Sequence, residues 1–197
     1  MSTSTISRVR RARQGGNNVL EFALVVMPLV VILLGVTTIG VMLARSIRVA
    51  QICRDATSMY VRGVNFSRPG NKDVLVRLAG SLGMTQAGGD GVIILSEITY
   101  IPQSRCEEVD LNPCNGNRHV ITQRVVIGNS TLRSSNLGSP ANHLVDSEGL
   151  VRDYMTEGSA VATFPMMNLD DGQFAYVAET YFRGVLNNAG VYSIAVF

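Results

Sequence analysis

Hydrophobic positions fall into three regimes along the chain. The first is a block. From Val19 to Ala44 the residues are almost all apolar, Glu21 carries the only charge, and Phe22 to Ala44 gives 23 uncharged residues in a row. As a helix that run spans about 34 Å at 1.5 Å per residue, close to the ~30 Å hydrocarbon core of a bilayer. A core helix of a soluble domain rarely continues that far without a solvated position, so residues 17–44 read as a transmembrane helix. A cleaved secretory signal fits poorly, because its apolar core is about 7–15 residues long and small residues precede the cut. Here Met42-Leu43-Ala44 places Met where a small residue belongs. Pro28 lies inside the run and lacks the N–H that would reach the Leu24 carbonyl, which predicts a weakened or kinked turn.

The second regime has helical period. Val49, Ile52, Cys53, Ala56, Met59 and Tyr60 recur at spacings of three and four, with Arg48, Gln51, Arg54, Asp55, Ser58 and Arg62 mostly between them. This amphipathic pattern extends the membrane helix through residues 45–64, from about Asn18 to Arg62, with Gly63 as its stop. Ser67-Arg68-Pro69-Gly70-Asn71 reads as a loop, and Lys72–Leu82 as a second short helix on Val74, Leu75, Leu78, Ala79 and Leu82. The third regime is β. Val92–Ile101, His119–Ile127, Ser159–Phe164, Gln173–Phe182 and Gly190–Phe197 are the strand candidates, and residues 128–150 read as a long surface loop. Four or five strands with short connections predict an α+β fold in residues 65–197. Its C-terminal antiparallel sheet is covered on one face by the amphipathic part of the long N-terminal transmembrane-plus-amphipathic helix.

Charge changes the picture at one end only. Charged residues make up 16% of the chain, below the roughly one quarter of a typical globular protein, and the formal net charge is +2. Arg8, Arg10, Arg11 and Arg13 stand in residues 1–16 without an acid, so the remainder is slightly acidic. Nucleic acid is therefore not an expected partner. The basic segment before the apolar run favours a cytoplasmic N-terminus and an extracytoplasmic C-terminal domain, although Arg45, Arg48 and Arg54 after the run moderate that bias.

Glu21 at the mouth of the apolar block does not follow from anchoring. A carboxylate in the bilayer costs about 2.5–3.5 kcal/mol on the mildest scale, so it either sits shallow among headgroups or has a partner. Gly15-Gly16 breaks the chain just before it, and a cut after Gly16 would create a cationic amine at Asn17, four residues from Glu21. In a staggered bundle of such helices, the carboxylate of one copy meets the amine of the next and sets the register.

The run from Arg11 to Leu29, with Gly16, Glu21-Phe22 and Pro28 in it, resembles the N-terminus of TadE-like pseudopilins. These are minor subunits of tight-adherence (Flp) type IV pili. The segment Phe174–Phe182 with the apolar strand after it is similar to the closing hairpin of the same family, whereas residues 65–170 contribute little to the likeness. The resemblance implies a pilin-like fold and a basic leader, residues 1–16, removed by a membrane prepilin peptidase between Gly16 and Asn17. It also implies that Glu21 and Phe22 act in assembly. The implied partners are other pilin subunits, the pilus assembly platform, the prepilin peptidase and membrane lipid. The implied location is the bacterial inner membrane, as a single-pass protein, and then the extracellular pilus. Asn17-Asn18 replaces the small or Gln-containing pair common after the cut. The rival class is an uncut, single-pass anchored binding or sensing module, which leaves Gly16 and Glu21-Phe22 accidental.

Cys106 and Cys114 flank a polar, hairpin-like loop. Outside the cytoplasm they can form a disulfide, and in a reducing compartment they stay free thiols. Cys53 falls on the apolar helix face as a small buried hydrophobe. Glu107, Glu108, Asp110, Asn112 and Asn115 do not have EF-hand spacing, and His119 and His143 are not paired for zinc. No nucleophile elbow or phosphate-binding glycine loop occurs. No metal, cofactor, small-molecule substrate or catalytic residue is expected, and the chain reads as a structural protein rather than an enzyme.

Overall fold

The computed structural model describes residues 17–166, 168–184 and 190–197. The basic segment 1–16, with Gly16, lies outside the described residues. The chain divides into two compact units between Ala44 and Arg45.

Helix α1 (Asn17–Val61) is a single 45-residue element with Pro28 inside it. Its residues in the first unit are described alone. Seventeen large apolar side chains between Val19 and Leu43 are exposed, Val19 at 79% and Phe22 at 69%. Soluble monomers rarely leave so large a contiguous apolar surface in water. This segment is long and apolar enough to cross a membrane. The hydroxyls of Thr37 and Thr38 donate to the Leu34 carbonyl at 3.0 and 2.7 Å, which satisfies those two side chains within the helix itself.

In the second unit, the helix from Arg45 onward buries Val49, Ile52, Cys53, Ala56 and Tyr60. The helix ends where Gly63 takes φ +81°, a left-handed value that glycine adopts without strain. Four strands follow: β1 (Gly91–Ile101), β2 (Arg118–Gly128), β3 (Phe174–Phe182) and β4 (Val191–Val196). Their order is β2-β1-β3-β4, all pairs antiparallel.

Register decides what each face carries, because directly opposed residues share a face. Ile93 opposes Ile127 and Thr180, Leu95 opposes Val125 and Ala178, and Phe182 opposes Gly91 and Val191. This face packs against the five helix residues, with Phe66, Leu75, Ala79 and Leu82 closing the same core. Gly91 is required there, since a Cβ on it would come within 2.2 Å of the buried Phe182 ring. The opposite face carries Ile98, Ala175 and Val177, packed under Leu137, Leu144, Val151, Ala160, Ala162, Phe164 and Leu169. A bulge aligns it. Glu97 pairs with Gln123 but Ile98 pairs with Ile121, so the extra residue in β2 turns Ile121 onto the same face as Ile98.

The architecture is therefore α+β with a four-stranded antiparallel sheet, and four sequence expectations need correction. Residues 128–150 are no mere surface loop, because Leu137 and Leu144 are buried over the second sheet face. Ser159–Phe164 is not a strand. Gly158–Ala160 forms a 3-10 turn, and only Val161 makes a bridge, to Val120. Ala160, Ala162 and Phe164 are apolar because they cover the sheet, which produces a strand-like alternation without strand pairing. The second helix, α2 (Pro69–Ala79), starts earlier than expected, with Pro69 in its first turn, where the missing N–H costs nothing. Between the two cysteines the expected hairpin-like loop is instead the end of a short helix, α3 (Gln103–Glu108), followed by a turn.

Candidate functional site

Two regions carry polar chemistry on otherwise apolar surfaces. The first is the N-terminal part of α1. Asn17 opens the helix, and Glu21 and Phe22 are both exposed in its second turn. Glu21 is the only charged residue from Val19 to Ala44. Neither Gly35 nor Gly40 has an atom within 4 Å of the position a Cβ would take, so both present bare backbone on the apolar surface. In hydrocarbon, such positions permit close approach of a second helix.

The second region lies on the sheet face away from the helix, at the end where β1, β2 and β3 meet the segment after β2. Glu179 stands in an inward row with Ala175 and Val177, and is 2% exposed. A carboxylate buried that far must be fully hydrogen-bonded. Asn136 N–H donates to its Oε1 at 2.9 Å, Tyr192 O–H donates at 2.7 Å, and the Ser135 hydroxyl donates to Oε2. Burial and the adjoining Glu179 charge push the Tyr192 phenol well above its ordinary value, which keeps it a donor. The carboxylate thus ties residues 135–136 to the sheet.

Arg124 of β2 is 8% exposed on the same face and opposes Ser96. Its Nη2 donates to the Gly138 carbonyl at 2.8 Å, while its Nε is buried without an acceptor. Burial pulls this guanidinium down to about 10, against the pull of the Glu179 charge, so it remains a cation at neutral pH. Arg133 lies over the Tyr192 ring at 4.1 Å and beside Tyr181 at 5.7 Å, a cation–π arrangement. Between Arg124, Arg133 and the segment 130–145 lies a half-open cleft of 390 Å³.

The remaining sequence candidates have structural employment. Cys106 and Cys114 are joined by a disulfide with Cα atoms 6.0 Å apart. Asn115 does not face a cation; its side-chain amide donates to the carbonyls of Tyr154 and Glu157 at 2.9 and 2.8 Å. Among the described residues no acid, histidine and cysteine cluster has the geometry to hold a metal. Cys53 is buried, and its thiol donates to the Ala178 carbonyl at 3.2 Å. His119 packs between the rings of Tyr100 and Phe164, at 5.5 and 5.7 Å.

Sequence reasoning missed the Glu179–Arg124–Arg133 group. Its one legible signal was a carboxylate in phase with Ala175 and Val177 on a strand. Arg133 carried none, since its place depends on how residues 129–137 fold back over the sheet. No protein-family model, curated protein or solved structure matches the chain. The likeness to TadE-like pseudopilins therefore stands on the motif residues themselves.

Proposed function

We propose that this chain is a minor pilin or pseudopilin of the tight-adherence type IV pilus class. A prepilin peptidase cuts it between Gly16 and Asn17, and it is then assembled into, or primes, a fibre used for surface adhesion. Before assembly it resides in the bacterial inner membrane, with residues 1–16 cytoplasmic and the α+β domain outside. Its partners are other pilin subunits, the assembly platform, the peptidase and lipid.

The observation that carries this reading is the isolated carboxylate of Glu21, exposed on an otherwise apolar helix surface one turn after Asn17. An anchor needs no such group and has a free-energy reason to exclude it. An assembling helix has a use for it. After the cut, the Asn17 amine of one copy and the Glu21 carboxylate of the next neutralise each other in a low-dielectric bundle. Any other stagger leaves both charges unpaired, so the pair fixes register. The disulfide supports an oxidising, extracytoplasmic setting for the domain.

The test is Glu21→Gln, compared with Glu21→Asp, in cells where sheared surface fibres are separated from membranes. Both variants should be processed and membrane-inserted like the wild type. Glu21→Gln should be lost from the fibre fraction, with Glu21→Asp retained in part. Fibre incorporation of Glu21→Gln at the wild-type level would reject the assembly role.

A further inference from the structure

The cleft beside Arg124 has the composition of a binding site rather than of a packing defect. Among its lining residues are two arginines and no acid. Among the described residues, neither arginine forms an ion pair within 4 Å, and the two ion pairs present lie elsewhere, at Arg105–Glu108 and Arg183–Asp90. Two guanidinium groups sharing one cleft repel each other. Glu179 offsets part of this charge while it accepts from Ser135, Asn136 and Tyr192. With one carboxylate against two guanidinium groups, and the buried Nε of each arginine without an acceptor, the cleft keeps a positive charge that an incoming anion neutralises. Arginine also matches a planar carboxylate better than lysine would, through parallel N–H donors.

The rest of the lining narrows the ligand. Ser130, Ser134, Ser139 and Asn142 are exposed at the cleft, and each offers both donor and acceptor capacity. Beneath them, the opposed pair Ile94 and Val126 forms an apolar floor. Hydroxyl partners around the rim, a flat apolar floor and a cationic end suit a pyranose ring bearing a carboxylate. The volume of 390 Å³ lies in the range of about 300–1,000 Å³ typical of small-ligand pockets. Arg133 is held in place before any ligand arrives, by its stacking on Tyr192 and a bond from its Nη2 to the Asn136 side-chain carbonyl at 3.2 Å. That pre-organisation lowers the ordering cost of binding.

We infer that this cleft binds an acidic saccharide, with the sugar carboxylate on Arg133 and Arg124 and its hydroxyls on Ser130, Ser134, Ser139 and Asn142. The inference does not depend on whether residues 1–16 are removed or whether the chain enters a fibre.

The experiment is calorimetric titration of the full-length protein in detergent micelles at low salt. The probes are glucuronate, galacturonate and N-acetylneuraminate, with methyl glucoside as the neutral control and inorganic phosphate as the non-sugar anion. At least one acidic sugar should bind saturably, at least tenfold more tightly than methyl glucoside or phosphate. Arg133→Gln should weaken it at least tenfold. Val126→Glu, which places a negative charge on the floor at a position 39% exposed, should abolish it without lowering the thermal midpoint. Saturable binding absent for all three acids would overturn the inference, as would equal binding of methyl glucoside. Phosphate bound as tightly as the sugars would make this a small-anion site and reject the saccharide. Undiminished binding in both variants would place the ligand elsewhere and reject the cleft.

Discussion

Replacing Glu179 tests the polar anchor of the second sheet face. The side chain is 2% exposed and takes three donors, from Asn136 N–H, Tyr192 O–H and the Ser135 hydroxyl. A hydrogen bond to a charged acceptor contributes about 1.5–3 kcal/mol, and the three are not additive, since one anchored segment supplies two of them. Glu179→Ala also removes the charge that offsets buried Arg124, and a lone buried charge is costly. Together these place Glu179→Ala at about 3–5 kcal/mol of lost stability. Glu179→Gln removes the same charge but keeps the shape and an acceptor oxygen, so its loss should be smaller, about 1–3 kcal/mol. The measurement is urea denaturation of the full chain in mild detergent. Near-ultraviolet circular dichroism of the tyrosines serves as the probe, because the chain contains no Trp. Trypsin supplies a second readout. Arg133 is held against Tyr192 only while residues 135–136 stay tied to the sheet, so Glu179→Ala should speed cleavage after Arg133 well beyond its effect on global unfolding. A stability change under about 0.5 kcal/mol, with unaltered cleavage, would refute the reasoning.

Two further outcomes follow from the same domain. Cys106 and Cys114 close a loop at a sequence separation of 8, for which the chain-entropy relation gives about 2.5 kcal/mol. The Cys106→Ser, Cys114→Ser double variant should lose about that much in the same denaturation experiment, and an unchanged midpoint would contradict it. Burial lowers His119 from its ordinary value of 6.5, so the folded chain favours neutral imidazole. Its contribution is complete above about pH 6.5 and is lost as pH falls below that toward the folded value, because the unfolded state then binds more protons. Between pH 7.5 and 5.5 the wild type should lose more stability than His119→Phe, and equal losses would remove His119 as the cause.

How much was legible depended on whether a signal was local. The helix needed only residue order: 23 uncharged residues set its long apolar half, and the recurrence of Val49, Ile52, Cys53, Ala56 and Tyr60 set the packed half. The strand Val92–Ile101 was legible from its β-branched and aromatic run between Gly91 and Pro102, and His119–Ile127 from its alternation, and they match β1 and β2 within a residue or so. Ser159–Phe164 misled because alternation reports burial on one side, which a segment lying across a sheet also produces. The segment 128–150 misled for the opposite reason. Its serines, glycines and asparagines are turn-rich, and the few residues that bury, Leu137 and Leu144, are too widely spaced to show a period. The cleft depends on how that segment folds back over the paired strands β1 and β2, so no local pattern announced it. Glu21 is the reverse case. It is conspicuous in sequence, while the partner proposed for it belongs to a second copy of the chain.

The central claim, that a new amine is made at Asn17 to meet Glu21, is tested most directly by N-terminal sequencing of protein purified from native membranes and from sheared fibres. The account predicts a first cycle of Asn followed by Asn, Val, Leu and Glu in both fractions, with Gly16→Ala blocking the change. A polypeptide that still begins at Met1 or Ser2 in both fractions would contradict it.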